Sequence, residues 1–282
     1  MRLLVTGAGG QLGHDLASVA ESAGDEVVAL ARRDLDVGDR DAVLGVVTTV
    51  RPDVVVNTAA WTAVDACEGD PDRAYRDNAL AVRWLREATD RTGAHLVNIS
   101  TDYVFSGELD RPYHEWDRPD PRSVYGASKL AGEHETGPGA TTIRTSWVCG
   151  EHGHNMVATV LQLLADDPDR TLRFVDDQRG CPTFTADLAP MVRRLGVERR
   201  PGVFHVTNGG AVSWYEFVQE IVVAAGGSAD QVEPIGTADL HPPRPAPRPA
   251  NSVLDAVALR MSGIQPLRHH RHPLADLVDR LR

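Results

Sequence analysis

Short apolar runs alternate with amphipathic stretches through the first two thirds of the chain. The runs predict buried strands at Arg2–Thr6, Glu26–Leu30, Asp53–Asn57, His95–Ser100 and Thr141–Arg144. Between them, apolar residues recur at helical spacing in the series Leu12, Leu16, Val19, Ala20 and the series Val43, Val46, Val47, Val50. A further helix is predicted from Asp70-Pro71 through Leu85. This alternation predicts a parallel sheet with helices on both faces.

The pattern is less regular in the last third of the chain. Helices are predicted at Asn155–Ala165, at Thr185–Leu195, from a capping box at Ser213–Glu216 to Ala225, and from Pro273 onward. Five of the ten residues in 241–250 are prolines, which exclude a helix or a central strand there. This segment is either a plain linker or a rigid extended segment that lies across a ligand.

These elements predict an α/β protein with a Rossmann-like, doubly wound parallel sheet and a smaller C-terminal substrate-binding lobe. In this prediction residues 1–150 form the dinucleotide-binding domain, and parts of 184–212 return to it. Residues 151–282 mainly form the substrate-binding lobe.

Composition narrows the function classes. The formal net charge of −11 disfavours a nucleic-acid binder, which would normally present a basic face. No apolar run approaches the length of a membrane span, and Met1 leads into a predicted strand rather than a signal peptide. The three cysteines have neither metal nor disulfide spacing, so we expect a cytoplasmic protein without a metal site. The histidines and arginine at 269–271 predict a solvated basic patch.

The first predicted strand ends in a glycine-rich turn. Gly7, Gly10 and Gly13 give the spacing G-x-x-G-x-x-G, directly after a strand and before an amphipathic helix. Gly7 permits a tight exit from the strand, Gly10 lets the backbone approach a pyrophosphate, and Gly13 allows close packing of helix and strand. A glycine triplet can also be an incidental turn, but its position here favours dinucleotide binding.

The residues after the second strand predict which dinucleotide is bound. Arg32 and Arg33 stand where an acidic residue would bind the ribose hydroxyls of NADH. Because arginine can bind a 2′-phosphate, we expect NADPH to be preferred and NADH to be possible; two solvated arginines are the alternative. Further cofactor contacts are expected from Asp36 and Val37 at the adenine, and from the small residues Ala59 and Ala60.

A tyrosine and the only lysine of the chain predict acid–base chemistry. Tyr125 and Lys129 are four residues apart and project from one face of a helix. An ammonium beside a phenol lowers the pKa of the phenol toward neutral pH, and it can also bind a nicotinamide ribose. Thr101 ends the preceding strand and can donate to a carbonyl that is being reduced. The alternative is an exposed Tyr–Lys pair, with codon bias behind the scarcity of lysine.

These motifs resemble the dTDP-4-dehydrorhamnose reductase family of extended short-chain dehydrogenases/reductases. The resemblance runs the whole length of the chain and rests on Gly7–Gly13, Thr62–Asp65, Ser100–Phe105, Tyr125–Glu133, Arg144–Trp147, Asp177-Gln178 with Gly180 and Pro182-Thr183, and Arg248–Ser252. It implies that Thr101, Tyr125 and Lys129 are catalytic. It implies substrate contacts from Thr101, Asp102 and Trp147, and cofactor contacts from Gly10, Gln11, Leu12, Ala60, Trp61, Thr62, Tyr125 and Lys129. Asn78 matches an asparagine that supports proton relay in the wider superfamily, and Arg248 offers a fork of donors to a substrate pyrophosphate.

The resemblance implies NAD(P)H-dependent reduction of the 4-keto group of a nucleotide-activated deoxysugar, namely dTDP-4-dehydrorhamnose to dTDP-rhamnose. We expect a monomer or a homodimer that binds neither nucleic acid nor membrane. Three departures leave the sugar open: Cys149 replaces a frequent tyrosine, 267–272 lacks an expected aromatic, and Arg32 replaces an acidic or neutral residue. The alternatives are a sister 4-ketoreductase for another dTDP-deoxysugar and a non-catalytic NADP-binding regulatory subunit, although the complete catalytic set disfavours the second.

Overall fold

Twelve strands and eleven α-helices make up the protein, and the computed structural model describes all of residues 1–282. The strands are β1 (Arg2–Thr6), β2 (Glu26–Leu30), β3 (Val54–Asn57), β4 (His95–Thr101), β5 (Thr141–Thr145), β6 (Val148–Cys149), β7 (Leu172–Val175), β8 (Arg179–Gly180), β9 (Thr183–Phe184), β10 (Gly202–His205), β11 (Val212–Ser213) and β12 (Val232–Ile235). The α-helices are α1 (Gln11–Ser22), α2 (Arg40–Val50), α3 (Val64–Gly69), α4 (Pro71–Tyr75), α5 (Ala81–Thr92), α6 (Val124–Thr136), α7 (Met156–Asp166), α8 (Thr185–Val197), α9 (Trp214–Ala224), α10 (Val257–Met261) and α11 (Arg271–Leu281).

Six parallel strands form the central sheet in the order β10-β5-β4-β3-β1-β2. Side chains alternate between its faces, so Leu3 and Val5 join the core under α1 and α8, and Leu4 joins the core under α2 and α5. The strand order reverses between β1 and β3, where such sheets open a ligand crevice at the carboxyl ends of the strands. The predicted doubly wound α/β fold is confirmed.

A second core lies among elements that follow residue 150. Val157 and Val160 of α7 pack against Phe217 and Ile221 of α9 and against Leu277 of α11, beside the parallel pair β7–β12. Helices α8 and α10 also follow residue 150, but they pack on the core of the central sheet. The last third of the chain therefore contributes to both cores. None of the helices combines the length and apolar character that crossing a bilayer requires.

Four local features differ from the sequence predictions. A π-helical turn at Arg76–Leu80 interrupts the helix predicted from Pro71, and the edge strand β10 was not predicted because its run is short. The last helix begins at Arg271, before the predicted Pro273. His270 is buried, with Nε2 2.6 Å from the Glu220 carboxylate, so the prediction of a wholly solvated patch at 269–271 is wrong.

The proline-rich segment 241–250 has no regular secondary structure, but it crosses the crevice and contacts helix α3. Ala246 is buried, and its N–H donates to Asp65 Oδ1 at 3.1 Å. Arg248 Nη2 donates to Asp65 Oδ2 at 2.8 Å. Since Asp65 lies in α3, just after β3 in the chain, the segment spans from the second core to the central sheet and is not a plain linker.

Candidate active site

The glycine-rich turn leaves the N-terminus of α1 open. Gly7 has a φ of +71°, and a Cβ there would lie 2.5 Å from the backbone nitrogen of Ala59. A Cβ at Gly13 would lie 2.5 Å from the Gly7 carbonyl oxygen. Gly10 is the N-cap, and no side chain caps the helix. The first N–H groups of α1 are therefore accessible to an anion such as a pyrophosphate.

A cavity of about 500 Å³ extends from this turn to the end of β2. Nine of the predicted cofactor residues line it, namely Gly7, Gly10, Arg32, Arg33, Asp36, Val37, Ala59, Ala60 and Trp61. Arg33 is 88% exposed and lies 3.7 Å from the Asp34 carboxylate, whereas Arg32 is exposed without an ion-pair partner. Asp36 accepts a hydrogen bond from Arg76 at 2.5 Å, which lowers the pKa of the carboxyl. The cavity thus offers the uncommitted guanidinium of Arg32 to an anionic ligand.

Helix α6 carries the tyrosine and the lysine of the predicted catalytic set. Gly126 lets this helix approach the segment after β4 closely, because a Cβ there would lie 2.2 Å from the Tyr103 carbonyl oxygen. The close approach places Tyr125 and Lys129 beside the carboxyl end of β4, where Thr101 lies. All three residues are buried and line one cavity of about 490 Å³.

This second cavity also gathers most of the other predicted site residues. Its wall includes Gly10, Gln11, Leu12, Gly13, Ala60, Thr62, Asp102 and Trp147. Because it shares Gly10, Thr58 and Ala60 with the first cavity, the two form one cleft along the carboxyl edge of the sheet. Of the predicted site residues, only Asn78 and Arg248 lie outside this cleft.

Burial controls the protonation of Tyr125 and Lys129. It raises the pKa of the Tyr125 phenol above its usual range, and the nearby Thr101 hydroxyl acts in the opposite direction. Lys129 Nζ donates to the Ile99 carbonyl oxygen at 2.6 Å, and burial lowers the pKa of the ammonium to about 8. The Tyr-x-x-x-Lys spacing predicts a lowered phenol pKa. In the folded chain desolvation raises the phenol pKa instead, so Tyr125 stays protonated at neutral pH.

Asp102 is a buried carboxyl with no cation beside it. Its Oδ1 accepts from the Thr101 hydroxyl at 2.9 Å, and its Oδ2 has no hydrogen-bond partner. Burial raises the pKa of the carboxyl to about 6. An unpaired oxygen in this position is costly to the fold and can accept a hydrogen bond from a ligand hydroxyl.

Trp147 lines both the cleft and a third cavity of about 540 Å³. Its φ of 46° lies in the left-handed region, which bulky residues rarely adopt. Its ring stacks on Trp214 with centroids 3.5 Å apart and an interplanar angle of 6°. Gly180 leaves room for the ring, because a Cβ there would lie 2.5 Å from it. The lining of the third cavity also includes Arg173, Gln178, Arg244 and Arg248.

Asp65 holds Arg248 at the edge of the third cavity. The guanidinium donates through both Nη atoms to the Asp65 carboxylate, and Arg244 Nη1 lies 3.5 Å from the same group. The bonds from Arg248 lower the pKa of Asp65 to about 2. Arg248 thus lines the third cavity with its donors already engaged by a carboxylate.

Two further predicted residues, Asn78 and Gln11, form hydrogen bonds that join the segments of the cleft wall. Asn78 is buried behind the cleft, donates to the Trp61 carbonyl and the Ser128 hydroxyl, and accepts from the Trp61 N–H at 2.8 Å. It thereby joins the segment that carries Trp61 to helix α6. Gln11 lines the cleft and accepts from the Gly150 N–H at 2.8 Å.

Sequence reasoning missed Trp214 and Gln178, which line the third cavity, and Asp65, which holds Arg248 beside it. Trp214 was identified only as the first turn of a helix, and Asp65 and Gln178 only as parts of the family motifs. Their capping and motif positions were visible in the sequence. The stacking of Trp214 on Trp147 and the ion pair of Asp65 with Arg248 depend on how the second core packs against the central sheet.

Comparison with known proteins identifies the family of the chain. The family described as the RmlD substrate binding domain matches residues 1–282. The dTDP-4-dehydrorhamnose reductase of Streptomyces griseus is 43% identical over 98% of this chain and 92% of its own length. A probable dTDP-4,6-dihydroxy-2-methyloxan-3-one 4-ketoreductase of Streptomyces antibioticus is 40% identical over 98% of this chain and 94% of its own.

A solved structure is similar over the whole fold. The crystal structure of dTDP-4-dehydrorhamnose reductase from Bacillus anthracis strain Ames, in complex with NADP, superimposes with a TM-score of 0.92 at 34% identity. The match covers 99% of this chain and 98% of that one. The chain therefore belongs to the RmlD substrate binding domain family, the family of the dTDP-4-dehydrorhamnose reductases.

Proposed function

We propose that the protein reduces the 4-keto group of dTDP-4-dehydrorhamnose with NADPH and releases dTDP-rhamnose. The observation that carries this proposal is the single cleft that runs from the open N-terminus of α1, past Thr101, Tyr125 and Lys129, to Trp147. A dinucleotide bound at one end and a sugar nucleotide bound at the other would meet at these three residues. The reductase relatives support the substrate class.

The cofactor half of the cleft fits NADPH. The pyrophosphate would bind at the open turn formed by Gly7, Gly10 and Gly13, where Gln11 and Leu12 begin helix α1. The 2′-phosphate would bind Arg32, and Arg33 is the alternative ligand. The adenine would lie against Asp36 and Val37. The nicotinamide half would extend along the segment Ala59–Thr62 toward Tyr125 and Lys129. Asn78 holds this segment in place through its hydrogen bonds to Trp61. The complex of the Bacillus anthracis relative with NADP supports this cofactor.

The catalytic residues supply a proton and hold the carbonyl. Bound NADPH supplies the hydride that reduces the carbonyl carbon. Tyr125, kept protonated by burial, donates its phenolic proton to the carbonyl oxygen. The Thr101 hydroxyl, which lies next to the phenol, would turn away from Asp102 Oδ1 and donate its hydrogen bond to the same carbonyl oxygen. Lys129 lines the same cavity, and its ammonium would stabilise the phenolate that Tyr125 becomes.

The substrate half of the cleft fits a sugar joined to a pyrophosphate. Asp102 would accept a hydrogen bond from a sugar hydroxyl, and the Trp147 ring would stack on the sugar. Arg248 would bind the pyrophosphate in exchange for part of its contact with Asp65. In this proposal residues 1–150, with parts of 184–212, bind the dinucleotide. Residues 151–282 mainly bind the substrate. The two cores support this division, although α10 returns to the first core.

A sister 4-ketoreductase that acts on another dTDP-deoxysugar is the second candidate. The ketoreductase relative from Streptomyces antibioticus favours it, because its identity to this chain is close to that of the reductases. The regulatory-subunit alternative is disfavoured by the complete Thr101, Tyr125 and Lys129 set in one cavity.

We further propose that the enzyme works in the cytoplasm as a monomer or a homodimer and binds neither nucleic acid nor membrane. The three cysteines, all free and buried, suit a reducing compartment. The net charge of −11 opposes binding to nucleic acids and acidic lipid surfaces.

Turnover assays test the function directly. NADPH oxidation is followed with a panel of dTDP-4-keto sugars, and NADH is run in parallel. We expect the highest kcat/KM with dTDP-4-dehydrorhamnose and loss of turnover in the matched Tyr125→Phe variant. A higher kcat/KM with another keto sugar would favour the sister reductase, and no turnover with any keto sugar would contradict both candidates.

A further inference from the structure

Two histidines far apart in the sequence meet beside the mouth of the cleft. His14 lies in α1, and His152 lies in the loop 150–155 between β6 and α7. Their ring centroids are 3.6 Å apart, with an interplanar angle of 45°. The carboxylate of Asp15 lies 3.5 Å from His14 Nδ1. One donor atom from each of the three residues lies within 4.8 Å of the other two.

We propose that His14, Asp15 and His152 bind a divalent transition-metal ion of the zinc class. Two imidazoles and one carboxylate are a donor set that suits Zn²⁺ and its neighbours, whereas Mg²⁺ and Ca²⁺ prefer oxygen ligands. Zinc–nitrogen bonds of 2.0–2.1 Å place tetrahedral donors roughly 3.3 Å apart, so small side-chain rotations bring these three atoms into range. The side chains of His14 and Asp15 are 52% and 20% exposed, which lets an ion enter and leaves a position for solvent. Cysteine spacing gave no sign of this site, because its ligands come from two elements that meet only in the fold.

The backbone that carries these ligands is already fixed. Gln11 lies one helical turn before His14 and Asp15, and its Oε1 accepts from the Gly150 N–H at 2.8 Å and from Asn155 Nδ2 at 3.0 Å. Its Nε2 donates to the His154 carbonyl oxygen at 3.1 Å. Both ends of the loop are therefore tied to α1, and an ion would order only three side chains.

The metal would join two parts of the cleft wall. The loop contributes Gly153 and His154 to the cavity that holds Tyr125, and α1 provides the open N-terminus. An ion bridging His14 and His152 would add to the Gln11 bonds that already join the loop to α1, so NADPH would dissociate more slowly. This consequence rests on the proposed function, whereas metal binding itself does not.

Calorimetric titration of Zn²⁺ into the full-length, metal-stripped protein without nucleotide tests the site. We expect one ion per chain, with an affinity at least about 10-fold lower in each of the variants His14→Ala and His152→Ala. His134→Ala removes an exposed histidine of α6 and is the matched control, with unchanged affinity. At a Zn²⁺ concentration of about 100 times Kd, the wild-type Tm rises by roughly 5 °C and that of the two variants does not.

Two outcomes would overturn the metal site: the wild type binds no Zn²⁺ at micromolar concentrations, or the double variant His14→Ala, His152→Ala binds it unchanged. Circular dichroism shows that each variant is folded. The rate of NADPH release from the wild type with and without Zn²⁺ is measured separately, so a failure of the proposed function leaves the binding result intact.

Discussion

Replacing Arg32 with alanine tests how the protein selects its cofactor. Arg32 lines the cavity at the end of β2 and has no ion pair, whereas Arg33 lies near Asp34. A charge-assisted contact with a 2′-phosphate contributes about 1.5–3 kcal/mol, which corresponds to about 10- to 150-fold in kcat/KM. Both side chains are exposed, so solvent screening favours the lower end, about 10-fold. Arg32→Ala should therefore lower kcat/KM for NADPH about 10-fold and leave that for NADH nearly unchanged.

The assay measures kcat/KM for both cofactors at low and high salt. The preference of the wild type for NADPH should shrink at high salt, because the contact is electrostatic and solvent-exposed. Arg33→Ala is the matched control and should lose less than Arg32→Ala, while the double variant should lose the most. Equal use of NADH and NADPH by the wild type would refute the reasoning and leave both arginines as surface residues.

The other predictions concern the buried groups of the cleft. Tyr125→Phe should lower kcat by about 100-fold or more while NADPH affinity, measured by fluorescence titration, stays near the wild-type value; wild-type turnover would rule out the proton donor. Lys129→Arg should lose rate and NADPH affinity together, because a larger fork replaces an ammonium that donates to Ile99 at 2.6 Å. Since the pKa of Lys129 is about 8, kcat should fall as the pH rises above about 8, and a flat profile to more alkaline pH would contradict its charged role. Asp102 binds a proton more tightly in the folded than in the unfolded state, with a pKa of about 6 against 3.8, so wild-type stability should fall as the pH rises from about 4 to about 6. Asp102→Asn removes this buried charge, so it should raise the free energy of unfolding at neutral pH by roughly 2–3 kcal/mol in urea titrations. The same variant should raise KM for the sugar nucleotide. An unchanged or lower stability would contradict an unpaired charge at Asp102.

The sequence alone determined the features that depend on local order. Apolar runs separated by helical periodicity predicted five of the six central strands and the doubly wound sheet. The glycine spacing predicted an open helix N-terminus, and the Tyr125–Lys129 spacing predicted a shared helix face. Each of these depends on residues within one or two turns of each other, where backbone geometry leaves few choices.

Only the tertiary structure decided how the distant parts of the site meet. Desolvation of Tyr125 and Asp102 depends on everything packed around them, and their pKa values are raised accordingly. The stacking of Trp147 on Trp214 and the docking of the proline-rich segment on Asp65 depend on the second core lying against the central sheet. The same holds for the pair His14 and His152. Side chains that are scores of residues apart in the chain carry no local periodicity, so their contacts follow from the packing of whole elements.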